Sequence, residues 1–248
     1  MTDDRVVVYT GTRNLYSDMV VASKSLLYND GADIVYFLIE DDTFPHNIPD
    51  CIHTMNVSNQ TIFRHDGPNY NSHWTYMVLI RAALTKIFPQ YDRLIHLDVD
   101  TIVQQPIDCL WNLDLSHYYY ACVAENQITI RQHPYFNFGM AVHNLALLRE
   151  HKIDDTIIQT INTTKLTFPE QDAINTVCRR NILELPQRYN AMYHNIPLIP
   201  DDQAVIKHFA ARAKLFPNYE PYRTFSKMSW DQILDHQSKL KGGNKNDR

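Results

Sequence analysis

The chain is poor in glycine, with six, and in cysteine, with four, and it has neither an excess of positive charge nor a long apolar run. Each shortage removes a class of function. Cys51, Cys109, Cys122 and Cys178 lie far apart, without the close pairs of a zinc knuckle or redox couple, and 248 residues do not need a disulfide framework, so free thiols are expected. A formal charge of -5 argues against a large nucleic-acid footprint. No apolar stretch approaches the roughly twenty residues of a membrane helix. Residues 1–5 lead directly into a strand pattern, without a basic segment followed by a hydrophobic signal. The expectation is a soluble, non-secreted, cytoplasmic protein without an integral membrane segment. Gly11 stands alone after the first apolar run, lacking the further glycines of a dinucleotide fingerprint, which gives a hydride-transfer fold weak support. Internal repeats are absent as well.

What is present is an ordinary globular composition, 44% apolar and 21% charged, long enough for one sizeable core. One domain over 1–240 is expected, with a disordered tail at 241–248. Strand patterns at 5–10, 34–39 and 52–57 alternate with a helical spacing at 16–28, and 58–72 reads as a polar, aromatic loop or lid. A helix is predicted over 74–84, a buried strand over 93–103, a strand over 118–124, a polar connection over 125–133 and another strand over 134–144. Helical segments follow at 145–149, 154–163 and 173–180, then short strands, with a late one at 204–209. This is an α/β pattern with a central sheet flanked by helices.

The chemistry gathers at the end of the 93–103 run, where Leu97-Asp98-Val99-Asp100 places two carboxylates one residue apart. Open sheets hold ligands at the carboxyl ends of their strands. Two carboxylates brought together repel unless a cation lies between them, so the spacing points to a divalent metal holding an anionic substrate. His208 would complete a set for Mn2+ or Mg2+, nitrogen suiting Mn2+ better, although a lone histidine is more often structural. Arg81, one helix and one strand before Asp98, is a candidate for phosphate, or else an exposed helical charge. Asn137, beside Gly139 in an aromatic strand, is a candidate acceptor-sugar contact or part of a bulged edge strand. The acids of Glu170-Gln171-Asp172 could be no more than favourable first-turn charges.

Taken together, Leu97-Asp98-Val99-Asp100, Phe136-Asn137-Phe138-Gly139, Gln171-Asp172 with Asn175, and His208 with Lys214 resemble, in order and approximate spacing, glycosyltransferase family 8. That family includes glycogenin and the bacterial lipooligosaccharide galactosyltransferases, and the similarity runs from about Val6 to Leu215. The resemblance implies a GT-A fold: a Rossmann-like mixed sheet flanked by helices, with a small acceptor-side subregion. It implies that Asp98, Asp100 and His208 bind Mn2+ (or Mg2+) across the diphosphate of a UDP-sugar. Arg81 and Lys214 would meet the phosphates, Tyr16 would stack on the base, and Thr10 and Val99 would stand along the donor. Gln171 would face the reacting side of the donor sugar, Asp172 would bind its hydroxyls and Asn137 would lie towards the acceptor. Departures from the family pattern are Arg13 in place of an acid at the uracil, Glu170 in place of aspartate, Ala211 in place of glycine, and Leu215-Phe216 in place of proline and tryptophan.

The implied activity is transfer of a hexose, from UDP-glucose or UDP-galactose, to a glycan, glycolipid or protein hydroxyl with retention of configuration. Two alternatives stay open: a sugar-1-phosphate nucleotidyltransferase, and a non-catalytic carbohydrate-binding module on a degenerate transferase fold.

Overall fold

In the computed structural model, residues 4–130, 133–195, 197–210 and 212–243 are described. The first half alternates strand and helix: β1 (Val6–Thr10), α1 (Tyr16–Tyr28), β2 (Ile34–Ile39), β3 (Ile52–Asn56), α2 (Leu84–Ile87), β4 (Arg93–Leu97), β5 (Thr101–Val103) and α3 (Asp108–Trp111). A hairpin follows, β6 (Tyr120–Ile130) and β7 (His133–Asn144), then α4 (Leu145–Glu150), α5 (Ile153–Thr163), α6 (Pro169–Val177) and β8 (Ile182–Glu184). The chain closes with β9 (Ala191–Met192), β10 (Ile206–His208), α7 (Glu220–Lys227) and α8 (Trp230–Gly243).

Seven strands form a mixed sheet in the order β3-β2-β1-β4-β7-β6-β8, parallel except where β7 pairs with β4 and β6. β1 is apolar without alternation because both of its faces are covered. Val7 and Tyr9 join the core on one side of the sheet, Val6 and Val8 the core on the other.

The run 93–103 is not one strand. β4 stops at Leu97, and β5 belongs to a separate three-stranded sheet, β5-β10-β9. The break is held by three bonds. Asp98 N donates to Gly139 O (2.7 Å), Thr101 Oγ1 donates to Asp98 O (2.7 Å), and Phe209 N donates to Asp100 O (3.0 Å). The polar connection expected at 125–133 is also different. β6 runs on to Ile130 and β7 begins at His133, because the cross-strand ladder supplies the order that the polar composition hides. β7 is central, so Asn137 and Gly139 do not lie on an edge. Helix α8 continues to Gly243, three residues into the segment expected as a tail, and 244–248 lie outside the described residues. No described helix is long and apolar enough to cross a membrane.

His96 on β4 and His143 on β7 are 1% and 2% exposed, and their rings meet edge-on at 6.5 Å. Burial pushes His143 down to about 3 and holds His96 well below its ordinary value. A histidine whose folded value is depressed is neutral when folded but takes up a proton on unfolding. Stability is therefore complete above the unfolded value of 6.5 and is lost as pH falls from there towards about 3. Denaturant titrations should show a loss of about 1.4 kcal/mol per pH unit from each such group. His143→Phe should remove its share of the slope; an unchanged slope would contradict a neutral His143.

Candidate functional site

The break after β4 turns Asp98 and Asp100 out of the large sheet, and the small sheet brings the third group. β10 runs antiparallel to β5 with His208 opposite Thr101, which places the imidazole beside the carboxylates. His208 Nε2 lies 3.3 Å from Asp100 Oδ1 and 3.6 Å from Asp98 Oδ2. Cis ligands of an octahedral Mn2+ or Mg2+ lie about 3 Å apart, so two carboxylates and an imidazole at these separations fit such an ion. Asp98, Asp100 and His208 are the one group among the described residues that brings three such ligand atoms within 4.8 Å of one another. Burial disfavours charge on His208, but Asp100 and Asp98 outweigh it and hold the ring above its ordinary value. Burial likewise opposes charge on Asp100, and His208 holds its carboxyl below the ordinary range.

Gly139 makes this approach possible. A Cβ there would lie 2.1 Å from His208 Cε1 and 2.9 Å from Asp98 Oδ2, so any side chain would displace the ring or the carboxylate.

The triad lies where two lobes of a cleft meet. One lobe, about 300 Å³, is bordered by Trp74, Glu125, Asn137, Phe168, Gln171 and His194. The other, about 320 Å³, is bordered by Thr10, Leu15, Asp18, His73, Val99 and Phe216. Arg81, Asp98 and Asp100 border both. Trp74 reaches the mouth because the expected helix starts late. Thr75 has φ 61°, a strained value for a β-branched residue, and its side chain accepts from Met77 N at 3.3 Å, so helical structure begins at Tyr76. The indole is left 42% exposed, 5.9 Å from the Phe168 ring.

Residues 7–215 match the protein family described as Glycosyl transferase family 8. The chain belongs to glycosyl transferase family 8. It is 26% identical over 140 residues to a putative glycosyltransferase of Haemophilus influenzae, covering 51% of this chain and 40% of that protein. It is 25% identical over 240 residues to the glycosyltransferase GlyF of Streptococcus pneumoniae, covering 88% of this chain and 60% of GlyF. The chain thus spans about half the length of these curated relatives. Among solved structures, GlyE of Streptococcus pneumoniae superposes with a TM-score of 0.73 at 17% identity, over 96% of this chain and 64% of GlyE. The galactosyltransferase LgtC, solved with donor and acceptor sugar analogues, gives 0.70 at 17% identity, over 91% of this chain and 98% of LgtC. At these identities the structures speak for the fold, which is GT-A.

Within this family 8 fold, several expected residues stand elsewhere than the resemblance implied. Arg81 is not an exposed helical charge: it borders both lobes, is 9% exposed, donates to Asp98 Oδ1 at 2.6 Å and pairs with Glu170. Two facing carboxylates outweigh the cost of burying its charge. Tyr16 is 1% exposed, packed at 5.0 Å on Phe44, with its hydroxyl between Asp41 Oδ2 and Glu40 N. The ring has no open face for a base, and Leu15 borders the cleft instead. Asp172 does not border the cleft: it accepts from Tyr135 Oη at 2.6 Å and from the backbone N–H groups of Thr167 and Phe168, both at 2.9 Å. Glu170 borders it in place of Asp172. Lys214 is exposed in the 3-10 turn Ala213–Asn218 and is not among the described residues bordering either lobe, whereas Phe216 of that turn is. Arg13, at the position of the family's acid, pairs with Asp41, so a carboxylate is nonetheless held beside it. Ala211 lies outside the described residues.

Thr10, Val99, Asn137 and Gln171 do reach the cleft. Gln171 Oε1 accepts from Phe138 N at 3.1 Å, and its Nε2 donates to Glu125 Oε1 at 3.3 Å. Glu125, read from the sequence as the start of a connection, is a second acid of this side beside Glu170. Burial alone would raise its carboxyl, but His194, Asn137 and Gln171 hold it below the ordinary range. Its place is set by side chains that come from distant segments, Asn137, Gln171 and His194.

Proposed function

We propose that this chain is a metal-dependent glycosyltransferase that moves a hexose from a UDP-sugar, glucose or galactose, to an acceptor hydroxyl with retention of configuration. The observation that carries the reading is the Asp98, Asp100 and His208 triad at the junction of two lobes, each sized for part of a substrate. Mn2+ or Mg2+ held by the triad would supply Lewis-acid stabilisation of the charge on a departing diphosphate. The lobe of Thr10, Leu15 and Val99 suits the nucleotide, and the lobe of Glu125, Asn137, Glu170 and Gln171 suits two sugars.

Arg81 holds Asp98 and Glu170 in place and opposes the upward pull of burial on both carboxyls, so the two groups are already oriented when donor arrives. Gln171 is tied by both ends of its amide and is a poor nucleophile, which favours attack on the donor's own leaving-group face. In that step the acceptor oxygen bonds to the anomeric carbon as the bond from that carbon to the phosphate oxygen breaks. The hydroxyl proton passes to the departing phosphate oxygen.

The test is turnover of UDP-glucose and UDP-galactose with Mn2+, with and without simple sugar acceptors, followed by NMR of the linkage formed. Mn2+-dependent release of UDP and an α-linkage from an α-linked donor are expected. Binding of sugars without turnover of any activated sugar would assign a carbohydrate-binding module instead, and a β-linkage would exclude retention.

A further inference from the structure

His208 bonds through its other ring nitrogen to a chain of side-chain amides that crosses the floor of the cleft. Nδ1 lies 2.7 Å from Asn190 Oδ1; Asn190 Nδ2 lies 2.9 Å from Asn137 Oδ1; Asn137 Nδ2 lies 2.9 Å from Glu125 Oε1. Asn190 is fully buried, Asn137 is 7% exposed and His208 is 2% exposed, so water does not compete for these bonds.

The polarity of the chain is fixed at its Glu125 end, by two groups. Gly139 N, which can only donate, reaches Asn137 Oδ1 at 2.9 Å, so that atom is the carbonyl oxygen and the Asn137 amino group faces Glu125. Glu125, a carboxylate, can only accept, and it demands the same orientation. With the Asn137 oxygen as acceptor, Asn190 must present its amino group there and its own oxygen to His208. An oxygen facing Nδ1 requires a hydrogen on Nδ1. In the neutral ring the lone pair then lies on Nε2, on the side of Asp98 and Asp100.

We infer that Asn190 is a positioning residue that fixes His208 as the Nδ1–H tautomer, with the backbone N–H of Gly139 setting the order of donors through Asn137. The inference rests on reading Asp98, Asp100 and His208 as a metal site. Gly139 serves that site twice, by lacking a side chain where His208 packs and by giving the hydrogen bond that orients the chain. The same chain ends on Glu125, which also holds Gln171, so the metal side and the sugar side of the cleft share one hydrogen-bonded support.

Two measurements test this, neither of which reads turnover. Asn190→Leu keeps the volume and removes both bonds; calorimetric titration with Mn2+ alone should show affinity about 10–100-fold weaker than that of the unaltered protein. Affinity within twofold would overturn the inference while leaving the metal reading standing. If the unaltered protein takes up no Mn2+, the metal reading fails and this inference with it. The second measurement needs no variant to fold: 15N NMR of the histidine-labelled, metal-free protein at alkaline pH, where the ring is neutral. His208 should show a protonated Nδ1 and a bare Nε2; the opposite tautomer would overturn the inference.

Discussion

Asp100→Ala should abolish the response to Mn2+ and lower kcat/KM for the UDP-sugar by about 10³-fold, ~4 kcal/mol of transition-state stabilisation. Asp100 has few structural duties for its side chain: its backbone O holds Phe209 N, and its carboxylate faces His208. The variant should therefore fold, and the loss should appear in donor binding by calorimetry as well as in rate. Asp98→Ala is a less clean experiment, because it also leaves Arg81 buried with Glu170 as its one remaining carboxylate partner among the pairs described. An Asp100→Ala protein whose donor affinity still rises with Mn2+ as in the unaltered chain would remove this residue from the metal set.

Gly139→Ala is the second large effect, and it adds one methyl group where there is no room. The new Cβ would meet His208 at Cε1 and Nδ1 and Asp98 at Oδ2, and Asn190 already holds the ring through that same Nδ1. The large sheet should survive, since β7 keeps its backbone ladder to β4 and β6. The weak point is the short β10, held by three pairs to β5 and two to β9, so His208 should yield. Circular dichroism close to that of the unaltered protein is expected together with Mn2+ affinity lower by about 100-fold, ~2.7 kcal/mol. Unaltered Mn2+ affinity would mean that His208 does not need its present position to hold the ion.

The sheet and the carboxylate pair were legible in the sequence because their signals are local. An apolar run such as Val6-Val7-Val8-Tyr9 marks a strand covered on both faces, and Leu97-Asp98-Val99-Asp100 places acids where such a strand ends. What the sequence hid depends on pairing between distant segments. Asn190 stands 18 residues from the histidine it orients, and they meet because β9 lies parallel to β10. Glu125 looked like loop because its polar neighbours mask a strand that the hairpin partner stabilises.

Helix phase accounts for two further misreadings. Glu170 and Asp172 are two residues apart at the start of α6, about 200° around the helix, so both cannot face one cleft. Glu170 points to Arg81, and Asp172 turns back to cap the backbone of Thr167 and Phe168. At α1 the preceding 3-10 turn, Arg13–Leu15, sets which residue enters the cleft, and it brings Leu15 rather than Tyr16 to that side. Lys214 follows His208 at the family's spacing, yet spacing carries no direction, and its side chain is exposed.

The most direct measurement is an anomalous difference map at the manganese edge from crystals grown with Mn2+ and UDP. One peak is expected within bonding distance of Asp98, Asp100 and His208, with the diphosphate on its open side. A peak elsewhere in the cleft, or UDP bound with no peak at these three residues, would contradict the metal assignment on which the proposed transfer depends.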